Sequence, residues 1–268
     1  MTALYERDGD AFVGTEITAG AWSPGAQSGG AVLALLGHVL EDVPTLTPMS
    51  LTRLTVDLVR PVPVGERLRI EHEIVREGKK IQVVDLRVVT DGAEHARARA
   101  LRVRDADLGS VPGAPDSSTD IDPAAALPRP EEIEPADDRP GLPPFLRVAL
   151  DFRRTDPWAE GVNGIWLRLR VPVVAGEPIC ATSRATVPMD VVNLIGAKFD
   201  GAAFTAINPD VSAHVARPPV GEWVGLVGET IFSHSVGHGV SAATMSDSAG
   251  VFGVTSTSQI LDHVPRSS

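Results

Sequence analysis

The sequence predicts an α+β protein built from two tandem units, each a curved antiparallel sheet wrapped around one central helix. Three observations carry this. The segment Arg60-Pro61-Val62-Pro63-Val64-Gly65-Glu66 returns as Arg217-Pro218-Pro219-Val220-Gly221-Glu222, with the two glycines spaced 156 residues apart. An echo of so long a period points to duplication of one folding unit. Next, a long apolar helical pattern is followed by four strand patterns joined by tight turns, the order of an α+β unit. Finally, the texture breaks between 105 and 142 into a proline-rich, acidic stretch without apolar period. A structureless segment that long is unusual inside one compact domain. The expected division is therefore 1–104 for the first unit, 105–142 for a surface linker and 143–268 for the second unit.

In the first unit, Phe12 to Ile17 reads as a short strand and Trp22 to Gln27 as a loop. Ser28-Gly29-Gly30 then leads into Ala31 to Asp42, where Val32, Leu35, Leu36, Val39 and Leu40 recur at helical spacing and Leu33 widens the stripe. Ser28 suits the N-cap. The two glycines leave the first N–H groups of this helix approachable by a ligand. Strands are expected at 51–59, 67–76, 80–90 and 94–104. In the first of them Thr52, Leu54, Val56 and Leu58 share one face and Arg53, Thr55 and Asp57 the other, the period of a half-buried strand. Glu77-Gly78-Lys79-Lys80 reads as a hairpin turn.

In the second unit, Phe145 to Asp151 and Gly164 to Val171 read as strands, and Pro188 to Gly196 as a helix shorter and less apolar than the first. Strands recur at 202–215, 222–236, 238–246 and 250–261. Ser246-Asp247-Ser248 repeats the offset of Thr90-Asp91-Gly92, and both are turn-type clusters. Pro209 interrupts the strand before the second copy of the repeated segment.

Composition narrows the class. An apolar fraction of 43% and a charged fraction of 22% are ordinary for a globular protein. No apolar run reaches the roughly 20 residues of a membrane span, and no secretory leader is visible at Met1 to Asp10. Cys180 is the single cysteine, so no intrachain disulfide forms and an intracellular, cytoplasmic address is expected. A net charge of −11 argues against nucleic acid as a partner. It does not bar an anionic small ligand, which meets local potential.

Several side chains invite a chemical reading. Ser28 stands in a loose match to the nucleophile elbow of serine hydrolases, but that elbow needs a buried strand before it and a βαβ series after it. His234 and His238 have a spacing that binds zinc on a helix, yet they sit in a strand-turn-strand pattern with no third ligand. No phosphate loop or dinucleotide fingerprint is present, so neither metal nor cofactor is expected. Asp190 begins an apolar stretch, where a carboxylate suits a helix N-terminus. Asn208 lies within an expected strand, where Asn is disfavoured; a bulge beside Pro209 is its structural reading. Gln259 lies in the last strand among Ser256, Thr257 and Ser258, and its structural reading is an exposed face.

Four passages resemble the thioesterase-like double-hotdog family, similar to bacterial acyl-CoA thioesterase II. They are Ser28-Gly29-Gly30, Trp166-Leu167-Arg168, Asp210 through Arg217-Pro218, and Ser258-Gln259. The resemblance implies hydrolysis of acyl-CoA by water, without a cofactor. The family places an Asp at the second helix, a Thr or Ser in the next strand and a Gln in the last, which carries over to Asp190, Asn208 and Gln259. Asn208 departs from that pattern, since an amide holds water but lacks a hydroxyl. Ser28 stands where the family has His. The N–H of Gly30, with Gly29 beside it, is implied as oxyanion donor. Two other readings remain: an enoyl-CoA hydratase, disfavoured because no Asp has a His five positions on, and a non-catalytic acyl or CoA-binding protein. Two units on one chain already supply the usual hotdog pair, and further homo-oligomerisation is left open.

Overall fold

A computed structural model describes residues 2–21, 23, 25–113, 122–135, 142–154, 163–195 and 204–263. Trp22 and Pro24 of the expected loop, parts of the 105–142 stretch, Gly196, and residues 202–203 of the expected strand 202–215 lie outside the described residues. In the first unit come β1 (Tyr5–Asp8), β2 (Ala11–Gly14), α1 (Gly29–Asp42), β3 (Met49–Leu58), β4 (Arg67–Arg76), β5 (Ile81–Thr90) and β6 (Ala93–Arg104). The second holds β7 (Leu150–Arg154), β8 (Gly164–Leu169), α2 (Ala181–Val191), β9 (Phe204–Ile207), β10 (Asp210–Val215), β11 (Val224–Ser233), β12 (His238–Asp247) and β13 (Gly250–His263).

Hydrogen bonding runs in the order β1-β2-β4-β5-β6-β3-β10-β13-β12-β11-β8-β7, with β9 beside β13. Read outward from the middle, β3-β6-β5-β4-β2 and β10-β13-β12-β11-β8 are the same topology twice. The two copies join where β3 and β10 pair antiparallel, Val56 opposite Val211. The duplication is thus a double hotdog: each half-sheet curves over its own helix. The N-terminal strand ties the halves a second time, because Leu4 and Tyr5 donate to the carbonyls of Pro172 and Val173 at 3.0 and 2.8 Å.

Helix α1 forms where the apolar spacing placed it, and Val32, Leu33, Leu35, Leu36 and Leu40 are all buried. At about 1.5–3 kcal/mol per side chain this stripe is a main source of core stability, as an upper bound. Ser28 takes the N-cap position, but its hydroxyl makes no capping hydrogen bond. Helix α2 packs directly on α1. Ser183 Oγ donates to the Ala34 carbonyl at 2.9 Å and Thr186 Oγ1 to that of Leu33 at 2.8 Å. A Cβ on Gly37 would lie 2.7 Å from Thr186 Oγ1 and 3.2 Å from Ser183 Cα, so this approach requires glycine.

Four expectations are corrected. Phe145 to Ala149 is a single π-helical turn, and the strand begins only at Leu150. The short strand of the first unit ends at Gly14, and Glu16–Thr18 is a 3-10 turn capped by Thr15. The expected strand 202–215 is two strands, broken at Asn208-Pro209, because proline cannot donate to the ladder. The second helix begins at Ala181, with Pro188 inside it. Proline is favoured in a first helical turn, and this mimicked a start signal at the wrong place. Among its described residues the 105–142 stretch also packs on the second unit. Trp166 Nε1 donates to the Pro128 carbonyl at 3.0 Å, and Ser246 Oγ to Asp122 Oδ1 at 2.9 Å.

The repeated segment turns at a left-handed glycine in both units. Gly65 and Gly221 adopt φ of 78° and 79°, which favours glycine. The arginines have diverged. Arg217 grips the fully buried Asp247 through two bonds of 2.6 and 2.8 Å, and the N–H groups of Val220 and Ala249 add 2.6 and 2.7 Å. Burial pushes the Asp247 carboxyl up, but Arg217 and these N–H groups outweigh it and hold it below the usual range. Arg60 instead donates to the Glu94 carbonyl on the surface at 2.6 Å. Arg217→Ala leaves a buried carboxylate without its cation and should cost about 3 kcal/mol in guanidinium unfolding. Arg60→Ala should cost under about 1 kcal/mol. Equal effects would show that the two copies have not diverged energetically.

Candidate active site

Because α1 and α2 lie against each other, the last turn of α2 reaches the first turn of α1. Asp190 stands in that last turn, not at a helix start as its sequence neighbours suggested. An ideal Cβ on Gly29 would lie 2.5 Å from Asp190 Oδ1, so only glycine admits the carboxylate here. The carboxyl group therefore meets the positive end of α1, and the Gly30 N–H favours its ionised form. Asn208 Nδ2 donates to the Asp190 carbonyl at 2.8 Å and to Asp190 Oδ1 at 2.9 Å. The Asp190 pKa is nonetheless raised: desolvation by the surrounding protein outweighs Asn208 and Gly30. Ser28, Gly29 and Asp190 keep some exposure, whereas Gly30 is buried. Phe145 closes the Gly30 side, where an ideal Cβ would lie 2.7 Å from its Cε1.

Gln259 is 2% exposed, which corrects its reading as an exposed face. Thr255 and Thr257 share its inward face, so β13 turns a polar row toward the interior. The register of β9 and β13 pairs Ile207 with Ile260. One further step brings Asn208 opposite Gln259, so the break at Pro209 sits beside the site.

The hydrogen bonds settle which way both amides point. Asp190's carbonyl can only accept, so Asn208 turns its NH2 there and its Oδ1 away. Thr230 Oγ1 donates to the Ile195 carbonyl at 2.6 Å, so it must accept from Ser241 Oγ at 2.5 Å. Ser241 Oγ is then free to accept Gln259 Nε2, at 2.8 Å. The oxygens left over, Asn208 Oδ1 and Gln259 Oε1, are buried and have no partner among the described residues. A buried acceptor without a donor is costly and calls for explanation. Water or a substrate N–H or O–H would satisfy both.

The structure thus brings Asp190, Asn208, Gly29 and Gly30 together, and the β9–β13 register, continued by one residue, leads Asn208 toward Gln259. Sequence reasoning missed Thr230 and Ser241, which hold Gln259. It also missed Tyr5 and Gln27, which position the loop before α1. Tyr5 OH donates to Gln27 Oε1 at 2.5 Å, and Gln27 Nε2 to the Pro63 carbonyl at 2.8 Å, within the first repeated segment. The available signal was polar residues on the inward period of β11 to β13. His234 and His238 lie in and beside the β11–β12 turn, with Ser233 paired to His238. A cavity of about 90 Å3 lies at the other end of the helix pair, among Leu40, Leu51, Arg102, Thr182 and Pro218.

Family models match both halves: an acyl-CoA thioesterase N-terminal domain over residues 18–103 and an acyl-CoA thioesterase C-terminal domain over 130–261. No curated protein matches the chain. Among solved structures, the chain is similar to acyl-CoA thioesterase II TesB2 from Mycobacterium marinum. The TM-score is 0.67 at 13% identity, over 97% of this chain and 96% of that one. A hot dog fold protein of unknown function from Alicyclobacillus acidocaldarius gives 0.69 at 16% identity, over 97% and 96%. The 12:0-ACP thioesterase from Umbellularia californica gives 0.52 at 11% identity, over 94% and 93%. At these identities the likeness shows the shared fold.

The raised pKa of Asp190 has a consequence for stability. An acid whose folded pKa exceeds its unfolded value binds more protons when folded, so stability falls as pH rises through that window. Asp190→Asn removes this penalty and keeps an acceptor for Asn208. The variant should melt higher than the parent at pH 7. The gain should vanish below the ordinary carboxylate pKa. An equal or lower melting temperature at pH 7, read by circular dichroism, would contradict the desolvation of this carboxylate.

Proposed function

Since the chain belongs to the acyl-CoA thioesterase family, its two matched domains together spanning most of the sequence, we propose that it hydrolyses acyl-CoA thioesters, with Asp190 activating water. The observation that carries this reading is one constellation. A carboxylate of raised pKa sits on a helix N-terminus, near two buried amide oxygens that lack donors among the described residues.

In this mechanism a water donates one hydrogen bond to Asp190 and its other to the oxygen of Asn208 or Gln259. These contacts turn its lone pair toward the thioester carbon. As the water oxygen bonds to that carbon, its proton passes to Asp190 and negative charge develops on the carbonyl oxygen. The N–H groups of Gly29 and Gly30 receive that charge. The intermediate then collapses, the C–S bond breaks and the proton on Asp190 passes to the departing thiolate. The products are a free acid and CoA. A raised pKa serves both halves of the cycle, because the ionised form is a better base and the protonated form is easily reached.

Asn208 in place of a hydroxyl is compatible with these roles. Its NH2 fixes Asp190 and its oxygen receives the water, and neither role requires ionisation. The nucleophile is water, so Ser28 forms no acyl-enzyme and a fluorophosphonate should leave activity intact.

The test is thiol release from short, medium and long acyl-CoAs, with an acyl carrier protein thioester alongside. Asp190→Asn should lower kcat about 100-fold or more, and Gln259→Ala and Asn208→Ala about 10- to 100-fold. In the parent, kcat/KM should rise with pH and level off above an apparent pKa higher than that of an ordinary carboxylate. This limb should be absent in Asp190→Asn. If Asp190→Asn and Gln259→Ala both kept parental rates across the panel, the assignment would be wrong. Binding without turnover of any substrate would favour an acyl or CoA-binding protein instead.

A further inference from the structure

We propose that Thr230 is a positioning residue for the reaction: acting through Ser241, it sets the direction of the Gln259 amide. The inference rests on the hydrolytic reading of the site, in which the Gln259 oxygen is an acceptor offered to the water. A hydroxyl has one hydrogen. Thr230 spends its own on the Ile195 carbonyl at 2.6 Å, because a carbonyl can only accept. It therefore meets Ser241 Oγ, 2.5 Å away, as an acceptor, and the one hydrogen of Ser241 is spent on it. Gln259 Nε2 donates to that same Ser241 Oγ at 2.8 Å. Turned the other way, the amide would set its oxygen against an oxygen with no hydrogen left to give. Ser241 and Gln259 are 0 and 2% exposed, so bulk water supplies no substitute hydrogen. The hydrogen of Thr230 thus decides which end of a side chain two strands away is left for the water.

The duplication shows that the fold itself does not ask for this relay. Thr230 lies nine residues after the glycine of its repeated segment (221 to 230), as Ile74 does in the first unit (65 to 74). Thr230 pairs with Ser241 across the ladder, and Ile74 pairs with Val84. Ser241 in turn lies opposite Thr257, and Val84 opposite Ala100. Two residues further on stand Gln259 and Arg102. The first unit therefore fills the relay positions with Ile and Val, and its Arg102 has no amide to orient. Burying hydroxyls in place of such side chains is unfavourable unless they are hydrogen-bonded. The buried pair occurs in the unit that has an amide to direct.

The far end of the relay is also informative. Ile195 closes the 3-10 turn Val192–Leu194, which continues α2 past Asp190. Gln259 on β13 is thereby tied to the stretch of backbone that carries the carboxylate. A purely structural role for Thr230, satisfying the Ile195 carbonyl, would need neither Ser241 nor Gln259. The two roles are separable by experiment.

The test is a double-mutant cycle, read as kcat and KM on an acyl-CoA that the parent turns over. Thr230→Val removes the acceptor for Ser241, whose hydrogen then turns to the Gln259 oxygen and reverses the amide. It should lower kcat about 5- to 20-fold with KM within about twofold of the parent. Thr230→Ser keeps the hydroxyl and should hold kcat within about twofold. In a Gln259→Ala background, Thr230→Val should cost no further kcat, because the amide it directs is gone. Thr244→Val deletes a hydroxyl elsewhere on β12, bonded to the Val227 carbonyl at 3.3 Å, and should leave kcat unchanged. Should Thr230→Val fold poorly by circular dichroism, Ser241→Ala in the same two backgrounds completes the cycle with the same expectation. Equal losses in both backgrounds, parental kcat in the single variants, or a Thr230→Ser as slow as Thr230→Val would overturn this inference and leave the hydrolytic reading standing. A parent that turns over no thioester would overturn that reading and this inference with it.

Discussion

The close contact of the two helices is the constraint on which the rest depends. Each half-sheet curves over one helix, and the β3–β10 junction fixes the two helices side by side. They can touch only because small residues face each other. Gly37 lies under Thr186 and Ser183, and both hydroxyls donate to carbonyls of α1 rather than remain unpaired. A larger residue at position 37 would push α2 outward. It would thereby lift Asp190 off the Gly29–Gly30 terminus, eight residues away along α1. The chemistry of the site is therefore set by packing at positions that never touch a substrate.

The two ends of the helix pair were equivalent when the unit was duplicated, and they have since taken different work. Ser28 and Cys180 are the two N-caps, so His38 holds the place in α1 that Asp190 holds in α2. Sheet register puts Arg102 opposite Leu51 in the first unit, and the β9–β13 register continued by one residue leads Gln259 to Asn208 in the second. The set of Asp190, Asn208 and Gln259 thus corresponds to His38, Leu51 and Arg102. The first-unit members are structural. Arg102 donates to the carbonyls of Leu40 and Val43 at 3.0 and 2.7 Å, closing the C-terminal end of α1 with a cation. His38 binds Glu177 at 2.9 Å, and Arg7 holds Glu177 from the other side. Among the described residues, that end does not combine a base of raised pKa with unpartnered amide oxygens, which favours the Asp190 end for the proposed chemistry.

Most of the architecture was legible because it is written in periods. The stripe of α1 and the alternation of β3 to β6 come from burying one face, and that requirement acts residue by residue. The long echo of Arg60–Glu66 in Arg217–Glu222 gave the duplication because a left-handed glycine turn tolerates little substitution. The second helix was harder to read. It is buried against another helix through Ser183, Thr186 and Gly37, so its contact face is small and polar and leaves no apolar stripe. Pro188, usually a start signal, stands within it. The site was named in residues but not in geometry. The resemblance supplied Asp190, Asn208 and Gln259, yet local sequence put Asp190 at a helix start and left Gln259 exposed. Both errors have one cause: their surroundings come from residues over a hundred positions away in α1, or from strands whose inward face is polar. Period two cannot show which face is inside when the interior itself is polar.

That polar interior has a physical cost that bears on what the protein can be. Asn208 Oδ1 and Gln259 Oε1 are held in fixed directions by donors spent elsewhere, on Asp190 and on the Ser241–Thr230–Ile195 relay. A fold selected for stability alone would fill these places with Leu and Arg, as the first unit does. Asp190 adds to the cost, because its charge is poorly solvated and only one helix terminus supports it. In hydrolysis these penalties would be relieved together. The water donates one hydrogen to an amide oxygen, and its other proton neutralises Asp190 just as charge forms on the carbonyl oxygen. The helix terminus then sees one negative charge throughout, first on the carboxylate and then on the oxyanion. A terminus that keeps its charge needs no reorganisation during the reaction, and this is the economy that electrostatic preorganisation supplies.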